Sequence, residues 1–375
     1  MKVYRLNDVD IYLRGNIYNK PANQSVDTFI LEAYKTFGKM FTRCLDGEFA
    51  IVIVDRVKQQ LIITCDPFRL RRLFVSLQEP ILVTDRYSKL VNHTTIVTPV
   101  ENLCSVYCLK TFKLIDTAPV KRFLNVGYKQ TYDDWVAAFK QAVLKRIDAS
   151  KKMYISLSSG YDSGAIFLEA IKTGASFGVF SDLRDANAKD IVSRRLQLTD
   201  KCEFVEVDSS PRSLNQAIDF IRQTVDVGGY LYEIKDVPDN AHLYICRGGE
   251  VNYTNVELHA VKAGYSIHLT GLGCDNVMDP QDWHSPRQPT GARSAEYIYT
   301  DYISSELNVD VRLPFLDAQV VQEYLLLSAN LKTDYKAPIK YLFEQENFPF
   351  EEGIKYGFAL PHWEKDAAFY QPCWL

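Results

Sequence analysis

No run of apolar residues in this chain is long enough to span a bilayer. Its first residues, Met1-Lys2-Val3-Tyr4-Arg5-Leu6-Asn7-Asp8, hold no apolar core of signal-peptide length. A membrane or secreted class is therefore not expected, and a cytoplasmic location is. The eight cysteines (44, 65, 104, 108, 202, 246, 274 and 373) contain no Cys-x-x-Cys pair. Cys104-x-x-x-Cys108 alternates with apolar residues and suits a strand pair better than a zinc site. Thiols scattered in this way read as reduced, most of them buried. Long basic runs are missing too. The net charge is −4, and the cluster Arg69, Arg71, Arg72 reads as a solvated face, so no nucleic-acid surface is expected. No Gly-Lys-Ser/Thr follows a glycine-rich turn, which excludes a Walker loop. Internal repeats and low-complexity tracts are absent.

The chain has 375 residues, 47% hydrophobic and 13% aromatic, enough for two domains with a sizeable core. Residues 1–125 read as strands with one helix. Val9, Ile11 and Leu13 alternate toward one face, and 48–54, 60–65, 72–77 and 81–84 are short β-rich runs. Ser25 caps a helix running to about Phe41, with Phe29, Ala33, Phe37 and Met40 on one face. Beyond a boundary near 125–131, residues 126–375 alternate strand and helix, the pattern of a parallel sheet covered on both sides. Trp135, Phe139 and Val143 form the core face of helix 133–147. A strand is expected at 177–181, a helix at 212–224 behind Ser210-Pro211, a helix at 255–263 ended by Gly264, a strand at 266–270, and helices at 317–328 and 336–345. Between Tyr230 and Val251 the pattern predicts strands 230–234 and 242–247 with a Gly248-Gly249 hairpin turn, either a surface decoration or a lid over a substrate.

The richest stretch is Tyr154-Ile155-Ser156-Leu157-Ser158-Ser159-Gly160-Tyr161-Asp162-Ser163-Gly164. A short apolar strand runs into a Ser/Gly turn, and a helix follows from Ala165. That layout aims free N–H groups and a helix dipole at one spot, which suits a phosphate. Ser158 and Ser163 can donate to phosphate oxygens, and Asp162 can hold a neutralising metal. An ordinary strand–turn–helix connection shows similar residues.

This turn resembles the Ser-Gly-Gly-x-Asp-Ser loop of enzymes that split ATP into AMP and pyrophosphate, with Ser159 in place of the first Gly. Other landmarks follow in order: Gly15-Asn16-Ile17-Tyr18-Asn19, Leu45 to Asp55, Asp66-Pro67-Phe68 through Ser76, Thr270-Gly271-Leu272-Gly273-Cys274-Asp275, Asp310-Val311-Arg312-Leu313-Pro314-Phe315-Leu316-Asp317, Lys336-Ala-Pro-Ile-Lys340, and Lys355 to Pro361. Together they resemble the asparagine synthetase / β-lactam synthetase family over nearly the whole chain. The resemblance implies an α/β protein: a truncated, Ntn-hydrolase-like β-rich N-terminal domain, then an adenine-nucleotide α-hydrolase-like domain with a five-stranded parallel sheet and a helical C-terminus. It implies Mg²⁺ on Asp162 and Asp275, and pyrophosphate on Ser158, Gly160 and Ser163. Adenosine would be cradled by backbone atoms of Ser156, Leu157, Val179 and Gly271, and Lys336 would meet charge that develops during the reaction. The cofactors expected are ATP and Mg²⁺, and the partners a small-molecule or peptide carboxylate and an amine; a homodimer is compatible.

Three departures matter. Active glutaminase domains of the family begin Met-Cys, whereas position 2 here is Lys and Cys44 is the first thiol; the early strands also look absent. Glutamine is therefore not expected to be the nitrogen donor. Lys340 stands where the family has Arg. Leu272 stands where relatives carry Glu or Tyr, and Asn276 replaces an acid. Either the base comes from Glu306, Asp301, Tyr161 or the 230–251 segment, or the amine arrives deprotonated, or the transfer step is lost. The expectation is an AMP-forming carbon–nitrogen ligase. Sulfur transfer on the same loop and a nucleotide-binding pseudo-synthetase are the alternatives. Asp310 and Arg312 read as a structural ion pair.

Overall fold

The computed structural model describes residues 1–183, 186–233, 248–278 and 294–351. The chain forms two compact units, one of Met1–Phe123 together with Asp226–Asp236 and one of the remainder.

The first unit is built from β1 (Lys2–Leu6), β2 (Val9–Ile17), β3 (Gly47–Asp55), β4 (Gln60–Cys65), β5 (Phe74–Ser76), β6 (Val83–Thr84), β7 (Ile96–Val97), β8 (Leu103–Cys108) and β9 (Leu114–Pro119). Six of them make an antiparallel sheet in the order β1-β2-β3-β4-β8-β9, and β6-β5-β7 make a small second sheet. Strand β3 explains the layering, because nearly all of it is buried and its side chains alternate faces. Phe49, Ile51 and Ile53 meet Ile30, Ala33 and Tyr34 of the helix Val26–Phe37. Ala50, Val52 and Val54 meet Leu73, Val75 and Val83 from the small sheet's side. Each fully buried Ile or Val contributes roughly 1.5–3 kcal/mol.

Ser25 does cap the helix, accepting from the Thr28 N–H at 3.4 Å, but the helix ends at Gly38, whose φ of 55° suits glycine. The buried face is Ile30, Ala33 and Tyr34, while Phe37 is exposed. The expected face shares Ala33 with it; Phe37 stands at the helix end, and Met40 lies beyond it in the turn Gly38–Cys44. The alternation of Val9, Ile11 and Leu13 is that of β2, which forms a hairpin with β1 through Asn7 at φ 51°.

The second unit carries β10 (Met153–Ser156), β11 (Phe177–Ser181), β12 (Cys202–Glu206), β13 (Ile267–Leu269) and β14 (Asp310–Arg312). They form a five-stranded sheet in the order β12-β11-β10-β13-β14, all pairs parallel. In chain order this is 3-2-1-4-5, so the winding reverses between β10 and β13. Ligands of open parallel sheets bind at the carboxyl ends of strands at such a switch point. One face is covered by the helices Asp133–Leu144, Tyr161–Lys172, Ala318–Leu326 and Ala337–Gln345. There Trp135, Phe139 and Val143 are fully buried. The helix Gly248–Lys262 lies on the other face, with Tyr253 stacked on His268 at 5.5 Å.

Residues 230–251 differ from expectation. Val227–Glu233 is helical, and Gly248 and Gly249 open a long helix instead of a hairpin turn; 234–247 lies outside the described residues. Alternation in Tyr230-Leu231-Tyr232 imitated a strand. Packing overrode it: Tyr230 is fully buried, and Tyr232 stacks on Tyr87 at 4.8 Å. Asp226 accepts from the Gly229 N–H at 3.3 Å and opens the helix. Among the described residues six cysteines are free, with Cys65, Cys104 and Cys274 buried. No described helix is long and apolar enough to cross a membrane.

Candidate active site

Strand β10 ends at Ser156, and the helix behind the turn starts at Tyr161 rather than Ala165, with Gly160 as its cap. Asp162 and Ser163 therefore sit in the first helical turn, where N–H groups have no intrahelical acceptor. The turn is braced by its own hydroxyls. Ser163 Oγ accepts from the Ser158 N–H at 3.0 Å, the Ser158 and Ser163 hydroxyls are 2.9 Å apart, and Ser158 Oγ accepts from the Gly160 N–H at 3.2 Å.

The turn after β13 lies against this one. A Cβ on Gly271 would stand 2.8 Å from Asp162 Cβ and 2.9 Å from the Ser163 nitrogen, so only glycine permits the approach. Gly273 adopts φ +90°, and a Cβ there would meet Leu316 at 2.6 Å. The next helix, Cys274–Met278, presents Asp275 to solvent.

Lys336 joins the two turns. Its ammonium donates to Asp162 Oδ1 and lies 2.8 Å from Asp275 Oδ1. Its side chain is only 2% exposed, and the residue holds the N-cap position of the helix Ala337–Gln345 in a left-handed backbone, φ 50° and ψ 40°, without a side-chain capping bond. A non-glycine residue held there costs roughly 1–3 kcal/mol and persists only where its surroundings demand it. Burial opposes the ammonium charge; Cys274, Asp162 and Asp275 outweigh it and raise Lys336 above the ordinary lysine value. Burial also holds the Cys274 thiol well above its usual value, so at neutral pH the two carboxylates carry that effect. Asp162 is raised by burial, lowered by Lys336 and raised again by Asp275.

Two carboxylates and one ammonium leave one net negative charge. Among the described residues no cluster of three or more His, Cys, Asp or Glu could enclose a metal. The donor set therefore fits a hard dication that draws its other ligands from water or bound oxygen atoms, not a closed protein cage.

Other residues singled out in the sequence fall at varying depth. Ser156 and Gly271 are half-buried at the strand ends. The Leu157 and Val179 side chains are in the core, and the Leu157 N–H is given to the Phe180 carbonyl at 3.0 Å. Val179 pairs on both sides within the body of β11, so it is not at the strand mouth. Leu272 is half-buried; the Tyr161 ring packs against Tyr335, Phe343 and Phe350. Asp310 and Arg312 are paired at 2.9 Å, and the arginine also reaches the Arg146 carbonyl. Both polar atoms of the Asn276 amide are buried without a hydrogen-bond partner. The segment 355–361 lies outside the described residues.

Sequence reasoning missed Arg195. Fully buried on the helix Ala186–Leu196, it donates to the carbonyls of Ser158 at 2.6 Å, Gly160 at 3.0 Å and Pro349 at 3.0 Å. Burial lowers its guanidinium to about 9, still charged at neutral pH. Phe348 lies beneath it at 4.9 Å. The overlooked signal was Gly164, a glycine inside a helix, where a Cβ would strike the guanidinium at 2.8 Å.

These features define an α/β unit with a carboxylate–lysine cluster at the switch point of a parallel sheet; the chain's other unit is antiparallel and β-rich. No family model and no curated protein matches the chain. Among solved structures, the allosteric regulatory enzyme of purine biosynthesis is 13% identical over 55% of this chain and 62% of its own length, with a TM-score of 0.25. The glutamine phosphoribosylpyrophosphate amidotransferase from B. subtilis, complexed with ADP and GMP, is 12% identical over 58% of this chain and 59% of its own, with a TM-score of 0.27. The chain thus spans about three fifths of the length of either protein. Superpositions at that level carry no argument about activity, which rests on the site's own residues.

Proposed function

We propose that the chain is an ATP-dependent, AMP-forming amide ligase, similar in chemistry to asparagine synthetases and β-lactam synthetases. The observation that carries this reading is the convergence of Asp162, Asp275 and Lys336 at the sheet's switch point, with the serine-braced 158–163 turn beside them. A triphosphate is repelled by two carboxylates unless a dication intervenes. Mg²⁺ on Asp162 and Asp275 would supply that neutralisation and bind phosphate oxygens. Ser158, Gly160 and Ser163 would hold the pyrophosphate end, and the backbone of Ser156, Leu157 and Gly271 the nucleoside end. A substrate carboxylate oxygen attacks the α-phosphorus, the bond to pyrophosphate breaks, and Lys336 stabilises charge that grows on the leaving oxygens. An amine or ammonia then displaces AMP from the acyl group.

ATP–pyrophosphate exchange, screened over carboxylic acids with product analysis, tests this. AMP and pyrophosphate together with an amide are expected; ADP as the main product overturns the assignment. Leu272 favours a second reading, a nucleotide-binding pseudo-synthetase that acts as a partner subunit, because its side chain cannot accept a proton. Nucleotide binding without exchange would select that reading.

A further inference from the structure

A second polar chain lies beneath the same strand ends. Ser156 Oγ is 2.5 Å from His268 Nε2, and His268 Nδ1 is 2.8 Å from Glu257 Oε1. Both His268 and Glu257 are fully buried, while Ser156 is only half-buried. The imidazole is clamped between Tyr154, stacked at 4.4 Å, and Tyr253 at 5.5 Å. Burial, then the Glu257 charge, holds both phenols well above their ordinary values, so they stay neutral. With Glu257 accepting from Nδ1–H, Nε2 is left as an acceptor for the Ser156 hydroxyl proton. Among the described residues, Ser156, Glu257, Tyr154 and Tyr253 are polar or titratable groups in contact with the ring.

The outlet of this chain sits near Leu272, whose side chain cannot take a proton. Tyr154 pairs with His268 in the parallel register, so counting two residues onward sets Ser156 level with Thr270, beside the Gly271-Leu272 turn. The Ser158 N–H is bonded to Ser163 Oγ and the Leu157 N–H to Phe180, so these amides form no oxyanion hole beside Ser156. That argues for proton transfer and against a covalent acyl-serine. We propose that Ser156, His268 and Glu257 are a proton relay that serves the amine-transfer step, an inference that rests on the ligase reading above. The amine lone pair forms the C–N bond to the acyl carbon. Its N–H proton passes to Ser156 Oγ as the serine's own proton passes to His268 Nε2. The acyl–oxygen bond then breaks with its electron pair going to AMP, and His268 later returns its proton to Ser156 Oγ as the half-buried serine gives its own to water. Ser156 is the catalytic residue of this relay, and His268 and Glu257 are positioning residues behind it.

The test separates the two half-reactions in the full chain, using a carboxylate that supports exchange and ammonia as nucleophile. Ser156→Ala, His268→Gln and Glu257→Gln should each lower amide formation about a hundredfold, the usual size of general-base catalysis, and lower exchange far less. Hydroxylamine, whose adduct at the acyl carbon is acidic enough to give up its proton to water, should restore acyl transfer in all three variants, read as the hydroxamate. A purely structural network would not respond to the choice of nucleophile. Unchanged amide formation in Ser156→Ala overturns the relay alone, as does a parallel fall of exchange and transfer without hydroxylamine rescue. Absence of exchange in the wild-type chain overturns the ligase reading and the relay with it.

Discussion

Replacing Lys336 by alanine withdraws a buried ammonium from between two carboxylates. Removing one partner of a buried ion pair costs about 3–5 kcal/mol. Here the Asp162 side chain is 25% exposed and Asp275 52% exposed, so water screens what remains and the expected loss is about 2–3 kcal/mol. Lys336→Gly recovers about 1 kcal/mol of this, because the left-handed backbone at φ 50° suits glycine. Urea midpoints for the two variants measure that difference. Turnover is expected to fall more steeply than stability. Losing one preorganised donor aimed at developing charge costs about 3 kcal/mol, roughly a hundredfold in rate, while ATP affinity changes much less. Lys336→Met keeps the apolar stem and should show the same kinetic loss. Lys336→Arg should rescue poorly, since a planar fork does not fit the place of a compact ammonium. Steady-state AMP formation and ATP-binding measurements decide the matter. Retention of most turnover in Lys336→Ala would refute the catalytic role and leave only charge balance between Asp162 and Asp275.

Gly271→Ala should leave the fold intact and cut ATP-dependent turnover at least tenfold, because its Cβ would displace Asp162 from 2.8 Å; wild-type turnover would show that the two turns need not touch. Arg195→Met should loosen the 158–160 carbonyls and weaken ATP binding, and Gly164→Ala should do the same by pushing the guanidinium away, so ATP titrations that separate these two variants would sink the argument. Asp162→Asn and Asp275→Asn should each raise the Mg²⁺ concentration needed for half-maximal turnover; an unaltered Mg²⁺ curve would move the metal elsewhere. Burial acts to raise Asp317, but Arg146 and Lys145 outweigh it and hold it below the ordinary carboxylate value. Its contribution is therefore present above the unfolded-state pKa and disappears as pH falls through the folded-state value. Asp317→Ala should cost about 3–5 kcal/mol at neutral pH, a gap that urea melts should find closing in acid; a gap constant with pH would refute it.

Local signals carried the second unit well. Alternating strand and helix, capping at Ser210 and turn glycines all report short-range chemistry, and the strand at 177–181 and the helices near 212–224, 317–328 and 336–345 appear close to where that chemistry puts them. The 158–163 turn and Asp275 were visible for the same reason, since each is a compact run of turn residues behind an apolar strand. What stayed hidden depends on contacts between distant residues. Arg195 looks like half of a solvated Arg194-Arg195 pair until Gly164 makes room for it. His268 and Glu257 come from a strand and a helix whose only shared signal is polarity at core positions. Tyr230 and Tyr232 alternate like strand residues, yet the aromatic packing of Tyr232 on Tyr87 and Phe74 makes that stretch a helix.

The first unit is not continuous in the chain. Glu233 meets Arg69 at 2.8 Å, Asp226 accepts from the Ser88 N–H at 3.0 Å, and the Tyr232 hydroxyl donates to the Ile96 carbonyl at 2.6 Å. On a ribosome, residues 1–123 emerge well before the stretch that completes them. The gap from Phe123 to Asp226 is 103 residues by subtraction, about 5–20 seconds of synthesis. For that interval Phe74 and Tyr87 have each other but not the Tyr232 ring, and Arg69 does not yet have the Glu233 carboxylate. The N-terminal unit therefore finishes folding only after much of the second unit has been made. A fragment that stops at residue 123 should remain in that unfinished state, and supplying the 226–233 peptide in trans should complete it.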